Sequence, residues 1–312
     1  MTTSMTRRAH LAALMAGAAI GAGLRPVAAQ TVPWSSGTER PKITVPPGAA
    51  DCHHHIYDAR FPASPGATLR PPDASVADYK LLMQRLGIAR HVVVQPSTYG
   101  VDNSLLVQSV QEFGPTARGI AMLDASVAPE ELKRLDAAGI RGVRFGTRLP
   151  GGAPITDLVP VARKIAAFGW HIVLVADGDK IVELADTLKG LPVPVVFDHM
   201  GHLPEPAGPD HPGFRVIADL IDKHGAWVKL TGAYLLSKVG PPTYADRGRL
   251  ARAFVQLAPE RLVWGSDWPH PTSPADAKPD DALLLDLLAT WAPDEAVRNR
   301  ILVANPAKLY GF

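Results

Sequence analysis

Short apolar runs recur along the chain from residue 49 onward, and they alternate with segments whose apolar residues have helical spacing. Short runs rich in Val and Ile are typical of buried strands, whereas the longer periodic segments are typical of amphipathic helices. We predict eight strands, at residues 51–55, 91–95, 119–123, 142–145, 171–175, 195–198, 227–230 and 262–264. After the first of these strands, apolar residues from Val76 to Leu86 predict a helix that Asp73 or Ser75 caps.

This alternation of strands and helices decides the fold class. Strands that are separated by helices run parallel and need cover on their outer faces, and eight such units close into a barrel. We therefore predict an α/β fold, a single (β/α)8 TIM barrel over residues 49–312. The competing open sheet would favour a glycine-rich phosphate loop after the first strand, and residues 51–55 hold Asp, Cys and three His instead.

The first 29 residues have the pattern of a signal peptide. Arg7 and Arg8 precede an uncharged apolar run, and small residues end at Ala29, after which we expect cleavage. The arginine pair resembles a twin-arginine signal, so we expect export to the periplasm. The apolar run is short and rich in Ala and Gly, so we expect no membrane span. The alternative is an unprocessed disordered tail.

Composition and charge narrow the classes of partner. Residues 30–48 are rich in Pro, Ser and Thr, which predicts an extended arm that leads into the barrel. A formal net charge of +2 with no dense run of Lys and Arg argues against nucleic-acid binding. Cys52 is the single cysteine, so the chain forms no internal disulfide.

Polar residues stand at the ends of three predicted strands. His53 and His55 end the first strand, His199 follows the sixth, and Asp267 follows the eighth. The carboxyl ends of barrel strands meet at one mouth, and strand alternation puts His53 and His55 on one face with His54 on the other. Three or four nitrogen and oxygen ligands are enough for one catalytic Zn²⁺ with an open position for water, and metal-free catalysis is the alternative.

These motifs resemble a known family. His-x-His after the first strand, Asp-His-x-Gly after the sixth and Gly-Ser-Asp-Trp-Pro-His after the eighth are similar to the amidohydrolase superfamily. The resemblance spans residues 49–312. Residues 92–95, 141–145 and 305–310 are similar to the branch that contains 2-pyrone-4,6-dicarboxylate lactonase, sugar lactonases and sulfomuconolactone hydrolase. The resemblance implies an enzyme that opens a lactone.

The sequence also departs from the family pattern. Binuclear members carry a bridging Lys or Glu at the end of the fourth strand, where this chain has Arg144 and Phe145, so the bridge for a second metal is missing. His171 stands at the start of the fifth strand, the wrong end for a ligand. The pyrone lactonase of this branch is metal-independent and its sulfomuconolactone relatives are zinc-dependent. The resemblance therefore leaves open both a zinc-dependent and a metal-free reaction.

Opening a lactone requires a water to attack an ester carbonyl, and the resulting oxyanion has to be stabilised. We expect Asp267 to be the base that takes the proton of the water. We expect His199 with His53 and His55, or a Zn²⁺ that they and Asp267 hold, to bind the carbonyl oxygen. The alternative is a structural Asp267, as a helix cap or a turn residue before Pro269.

Two arginines follow the fourth strand at the same mouth and predict an anionic substrate. Arg144 and Arg148 can each hold a carboxylate or sulfonate through two parallel hydrogen bonds, and the alternative for Arg148 is a surface ion pair. Tyr99, His202 and His270 are further candidates for substrate contacts, with packing as the alternative for Tyr99 and His270. The pyrone lactonase has an arginine where this chain has His202, so a singly anionic ring is favoured over a dicarboxylate.

The first hypothesis is therefore a hydrolase for a small anionic lactone such as a carboxy- or sulfo-substituted muconolactone. A sugar lactone is the next substrate class. A metal-dependent decarboxylase of aromatic acids uses a similar set of residues and would release CO₂. A non-catalytic, exported solute-binding protein is the third class.

Overall fold

The computed structural model describes Met1 and residues 31–312. The predicted signal peptide, with its cleavage site after Ala29, lies outside the described residues apart from Met1. Residues 31–48 carry only one isolated bridge pair, between Val32 and Ser35. They lie over the outside of the barrel, where the indole of Trp268 donates a hydrogen bond to the carbonyl of Pro33 (2.8 Å).

Eight parallel strands pair in sequence order, which confirms the predicted (β/α)8 TIM barrel. Each strand begins and ends within two residues of its predicted position. The strands are β1 (Ala50–His54), β2 (Arg90–Val94), β3 (Ala117–Ala121), β4 (Ile140–Gly146), β5 (His171–Val175), β6 (Val195–Phe197), β7 (Trp227–Leu230) and β8 (Leu262–Trp264).

Backbone hydrogen bonds join the last strand to the first. The amide of Asp267 donates to the carbonyl of His53 (2.8 Å), and the amide of His55 donates to the carbonyl of Trp268 (2.8 Å). The segment that follows β8 therefore runs beside the end of β1. This pairing brings two of the sequence motifs into direct contact at the mouth of the barrel.

Helices cover the outside of the strands. The first of them begins where the sequence predicts, and its cap is Ser75 rather than Asp73, because Ser75 and Asp78 form a reciprocal capping box. The α-helices are α1 (Val76–Leu86), α2 (Ser104–Phe113), α3 (Pro129–Ala137), α4 (Leu158–Ile165), α5 (Gly178–Glu183), α6 (Ala185–Lys189), α7 (Pro212–His224), α8 (Ala233–Leu236), α9 (Ala245–Leu257), α10 (Asp281–Asp286), α11 (Leu288–Trp291), α12 (Glu295–Asn299) and α13 (Asn305–Tyr310). Among the described residues, no helix is long and apolar enough to cross a membrane.

The barrel interior has an apolar floor below a polar layer. The floor is a buried cluster to which Cys52, Val173 and Trp227 belong. Strand alternation then turns the residue two positions further along each strand toward the same interior, which places Lys229 above Trp227. The polar side chains of the mouth therefore lie directly above a packed layer of apolar side chains.

A β-bulge in β1 aims the first histidine motif. The pairing of β1 with β2 shifts between Asp51 and His54, so β1 holds one residue more than its partner. Asp51 accepts a hydrogen bond from the hydroxyl of Tyr79 on the helix side of the strand (2.9 Å). Cys52 lies in the interior floor, and the ring of His54 stacks on Tyr79 outside the barrel. His53 and His55 are thereby left to face the interior, as alternation predicts.

Candidate active site

Three side chains that the sequence predicts to act together meet at the mouth. The Nε2 atoms of His53 and His55 are 3.2 Å apart, and Asp267 Oδ1 is 3.3 Å from the first and 3.5 Å from the second. All three residues are buried. We call this group the Nε2 cluster, because it lies on the Nε2 side of His53.

The outer nitrogens of the two histidines have acceptors of their own. His55 Nδ1 is 2.8 Å from the carbonyl of Val94, so Nδ1 carries the proton and Nε2 keeps a lone pair. His53 Nδ1 is 3.2 Å from the carboxylate of Asp198, the partner that a metal-binding histidine commonly has. When Nδ1 of each ring carries the proton, two Nε2 lone pairs and a carboxylate oxygen converge in the Nε2 cluster.

This triangle fits one zinc ion. Ligand atoms at roughly 2.0–2.1 Å from a tetrahedral Zn²⁺ lie about 3.3 Å from one another, and the three edges measured here are 3.2, 3.3 and 3.5 Å. Neutral imidazole and carboxylate are also the donor types that zinc accepts. The Nε2 cluster can therefore supply three ligands and leave a fourth position open toward solvent.

Burial sets the protonation of the cluster. It lowers the pKa of His55 to about 4 and that of His199 to about 3, so both rings are neutral at pH 7. Burial alone would raise the pKa of Asp267, but the imidazole rings of His199, His53 and His55 beside the carboxylate hold it well below its usual range. Asp267 is therefore an ionised carboxylate that is a weak base.

Four of the predicted residues have a strained backbone, with φ in the left-handed region that non-glycine residues avoid. The φ angles are 67° for Asp267, 54° for His270, 51° for His199 and 44° for His202. A Cβ on Gly265 would lie 2.6 Å from the Cβ of His53, and one on Gly232 would lie 2.6 Å from His199 Nδ1. Glycine at these two positions allows the strand ends to come close enough to build the site.

Asp267 is held from its other oxygen as well. The hydroxyl of Tyr234, in α8, donates to Asp267 Oδ2 at 2.6 Å. Oδ1 is thus left to face His53 and His55. Tyr234 is not among the residues predicted from the sequence, because a tyrosine in a four-residue helix after β7 looks like an ordinary packing residue.

A second polar cluster lies on the other side of the His53 ring. Its members are His53 Nδ1, Asp198 Oδ1 and the ammonium of Lys229, with Lys229 Nζ 3.0 Å from Asp198 Oδ1 and 3.1 Å from His53 Nδ1. The side chains of all three are completely buried. We call this group the Nδ1 cluster.

Asp198 is the anion at the centre of the Nδ1 cluster. Burial alone would raise the pKa of its carboxyl, but His53 and Lys229 hold that pKa well below the usual range. Arg144 adds a second positive charge beside that of Lys229, with its Nε 3.4 Å from Asp198 Oδ2. Asp198 stood in the motif that singled out His199, but its own role and that of Lys229 were missed.

His199 and His202 stand beside the Nε2 cluster. The ring of His199 is 4.9 Å from that of His53 and 4.8 Å from that of His202, centroid to centroid. Both ring nitrogens of His202, and Nδ1 of His199, are buried without a hydrogen-bond partner in the part of the chain that the structure describes. Buried imidazole nitrogens rarely stay unpaired, so the ring of His202, which lines the cavity, is positioned to bond a ligand.

A cavity of about 330 Å³ opens in front of these residues. Arg144 and Arg148 stand in its wall, and Arg148 also forms an ion pair with Asp177, which is the alternative that the sequence left open for it. The cavity is lined by His55, Tyr57, Leu69, Pro96, Ser97, Met122, Arg144, Gly146, Arg148, Leu149, Gly152, Val175, His199, His202, Leu235, Asp267, Pro271 and Thr272.

Two sequence-predicted contact residues lie away from the cavity lining. The hydroxyl of Tyr99 donates to the carbonyl of Asp58 and accepts from the amide of the same residue. His270 is fully buried and its Nε2 is 3.1 Å from a carboxylate oxygen of Asp281. Neither side chain is in contact with the space that a substrate would occupy, which favours the packing alternative for both.

The family model described as Amidohydrolase matches residues 50–312. Among curated proteins, the chain is 37% identical to 2-pyrone-4,6-dicarboxylate hydrolase of Comamonas testosteroni, over 89% of this chain and 94% of that one. It is 38% identical to 4-sulfomuconolactone hydrolase of Rhizobium radiobacter, over 86% and 92% of the two chains. It is also 37% identical to D-galactarolactone isomerase of Agrobacterium fabrum, over 88% and 94%.

A solved structure is similar as well. The apo crystal structure of an Agrobacterium tumefaciens protein superimposes with a TM-score of 0.82 at 35% identity, covering 89% of this chain and 98% of that chain. These similarities extend over the whole barrel.

Proposed function

The chain belongs to the amidohydrolase family, in which its relatives act on lactones, and we propose that it hydrolyses a small anionic lactone at the Nε2 cluster. One observation carries the proposal. The carboxylate of Asp267 stands beside two histidine nitrogens at the inner end of a cavity whose wall also holds two arginines. The base and the anion-binding groups therefore face the same space.

We infer that Asp267 acts on the attacking water. Its Oδ1 accepts the proton of the water as the oxygen adds to the lactone carbonyl carbon, and Tyr234 keeps the carboxylate in the orientation that this transfer needs. The ring carbon–oxygen bond then breaks and the proton passes to the leaving oxygen. The product is an open-chain hydroxy acid, whose new carboxyl group releases one proton near neutral pH.

The low pKa of Asp267 explains why the site needs an electrophile. A carboxylate that is a weak base removes a proton efficiently only when the water or the carbonyl is activated. His53, His55 and Asp267 would hold Zn²⁺, which when bound supplies a Lewis acid for this purpose. In the metal-free alternative, the neutral rings of His199 and His202 donate hydrogen bonds to the carbonyl oxygen.

The arginines support an anionic substituent on the ring. Arg144 is held by Asp198 and by the carbonyl of Gln95, so the position of its guanidinium is fixed before the substrate binds. Arg148 is more exposed and its pair with Asp177 can exchange for a substrate carboxylate or sulfonate. A cavity of about 330 Å³ suits a five- or six-membered ring with a short side chain.

A titration assay with a panel of lactones tests the proposal. We expect acid release from carboxy- or sulfo-substituted muconolactones, and we expect Arg148→Met to lower kcat/KM for these by about 10-fold or more while sparing a neutral sugar lactone. Arg134→Met, which breaks an exposed ion pair with Glu131 on α3 outside the barrel, is the charge-matched control. Equal loss on charged and neutral lactones would contradict the anionic substrate, and no hydrolysis of any lactone would contradict the reaction.

Isomerisation of a sugar lactone is a second candidate, which the similarity to a galactarolactone isomerase favours. In that reaction Asp267 would take the proton of a substrate hydroxyl instead of a water, and the ring would close again on a different oxygen. No acid is released overall. A change of ring size without titratable acid would identify the isomerase, whereas one proton per turnover identifies the hydrolase.

We also propose that the protein is exported through its twin-arginine signal and cleaved after Ala29. Support comes from the sequence of the first 29 residues. N-terminal sequencing of the protein from a periplasmic fraction tests this. A chain that starts at Gln30 is expected, and an intact N-terminus in the cytoplasmic fraction would contradict export.

A further inference from the structure

His53 is shared by two groups of side chains that could each hold a metal ion. One group is His53, His55 and Asp267, and the other is His53, Asp198 and His199. Both groups are buried and both offer nitrogen and carboxylate donors that lie within 4.8 Å of one another. By donor type alone, either side of the His53 ring could hold an ion, and two ions at once would require His53 to lose its ring proton and bridge them as an imidazolate.

A lysine distinguishes the two groups. The ammonium of Lys229 lies 3.0 Å from Asp198 Oδ1 and 3.1 Å from His53 Nδ1, while those two atoms are 3.2 Å apart. The three atoms form a nearly equilateral triangle, so the ammonium already sits against both donors. The Nε2 cluster has no Lys or Arg nitrogen at such a distance among the described residues.

We propose that Lys229 is the built-in cation of the Nδ1 cluster, and that it limits the protein to a single metal ion, bound at the Nε2 cluster. The ammonium neutralises Asp198 and occupies the side from which a second ion would approach Asp198 and His53. An ion about 2.0–2.1 Å from both donors would crowd Nζ or stand close to its charge. Lys229 thereby also leaves Asp198 to orient His53 rather than to bind metal.

The position of Lys229 in the fold agrees with this role. It lies on β7 directly above Trp227 of the apolar floor, and its side chain is completely buried. A buried lysine is rare unless a carboxylate pairs with it. Solubility and surface charge cannot account for a lysine in this place, whereas a fixed charge partner for Asp198 does.

Metal stoichiometry tests the proposal without depending on activity. Wild-type protein, Lys229→Ala and the double variant Lys229→Ala/Asp198→Asn are stripped with a chelator, incubated with excess Zn²⁺, desalted and analysed for bound zinc. We expect Lys229→Ala to retain about one zinc per chain more than wild type, because the alanine vacates the site and exposes the carboxylate. We expect the double variant to return to the wild-type value, because it lacks the ligand.

Equal zinc content in wild type and Lys229→Ala would overturn the proposal. If Lys229→Ala does not fold, wild-type crystals soaked in Zn²⁺ provide the second measurement. Anomalous scattering at His53 Nε2 with none beside Nδ1 is expected, and a peak bonded to Asp198 with Lys229 in place would overturn the proposal.

The inference rests on the proposed metal site only in sharing His53. A difference of one zinc between the variants is measurable even if the wild-type protein binds none. A protein that hydrolyses no lactone can still show this difference, so failure of the proposed reaction and failure of the lysine's role are distinguishable.

Discussion

The two ring nitrogens of His53 face clusters of similar size and different access. On the Nδ1 side, Lys229 balances Asp198, and the side chains of both are fully buried. On the Nε2 side, Asp267 faces the Nε2 atoms of His53 and His55 at the inner end of a cavity. On the Nδ1 side a fixed cation neutralises the buried carboxylate, so that carboxylate has little attraction for a further cation. On the Nε2 side the buried carboxylate faces nitrogen lone pairs, and this arrangement attracts a proton or a metal ion. The difference indicates that the Nε2 side of His53 is the side on which the proposed reaction can take place.

The largest effect is expected on the open side. Asp267→Asn keeps the shape of the side chain and removes both the base and a ligand oxygen, so kcat should fall by about 10²- to 10⁴-fold. Substrate binding should survive, because the arginines are untouched. Steady-state kinetics with an anionic lactone measure this. If Asp267→Asn retains more than a tenth of the wild-type kcat, Asp267 is not the base of the reaction.

On the closed side, we expect the larger cost in stability. Asp198→Asn leaves Lys229 buried without its carboxylate, which should reduce the free energy of unfolding by about 3–5 kcal/mol. Lys229→Met in addition removes the stranded charge, so the double variant should recover much of the loss. Urea denaturation of the three proteins checks this. A double variant less stable than Asp198→Asn would contradict the pairing.

Acid should weaken the fold through the buried histidines. The pKa of His55 is 6.5 in the unfolded chain and about 4 in the fold, so its contribution is present above pH 6.5 and is lost as the pH falls toward 4. One such histidine lowers the free energy of unfolding by about 1.4 kcal/mol per pH unit in that window. Asp51, whose pKa burial raises to about 6, opposes this between pH 6 and 4.

A histidine at the far end of the barrel separates this effect from the active site. His171, at the start of β5, has a pKa lowered to about 3 by burial and by Lys229. His171→Asn should remove about 1.4 kcal/mol per pH unit from the acid slope without changing activity at pH 7. Urea denaturation at pH 7, 6 and 5 provides the comparison. An unchanged slope would mean that His171 is protonated in the folded protein.

The smallest effect is expected from the tyrosine that orients the base. Tyr234→Phe loses the hydroxyl that donates to Asp267 Oδ2, and kcat should fall by about tenfold with little change in KM. Tyr99→Phe is the matched control, since its hydroxyl bonds the backbone of Asp58 away from the cavity. A larger loss in Tyr99→Phe than in Tyr234→Phe would restore the sequence-based assignment of Tyr99 to the substrate site.

Sequence patterns were sufficient for the barrel and for the residues at its mouth. The strands are short apolar runs that amphipathic helices separate, and the carboxyl ends of parallel strands must meet. His53, His55 and Asp267 could therefore be grouped before any coordinates were known. The family resemblance led to the prediction that the substrate is a lactone, and the family match and the relatives that act on lactones support this prediction.

The residues that were missed have a common physical reason. Lys229 stands in a short strand where a lysine would ordinarily face solvent, and its burial follows from the register of β7 beside β6 and β8. Tyr234 and Asp267 are 33 residues apart in the sequence, so their hydrogen bond exists only in the folded chain. Tyr99 and His270 follow strands as the residues of the Nε2 cluster do, but backbone and carboxylate partners outside the cavity hold them. Whether each of these residues belongs to the site depends on the groups that it contacts in the folded chain, which its position in the sequence does not show.

The most direct test of chemistry on the Nε2 side is to measure lactone hydrolysis before zinc is removed, after it is removed and after it is added back. The purified protein is assayed on an anionic lactone while bound zinc is measured before chelation, after chelation and after readdition. We predict about one zinc per chain, a rate that falls in proportion to the zinc removed, and recovery when zinc returns. Full activity in protein that contains no metal would contradict the zinc site and assign activation of the carbonyl to the histidines alone.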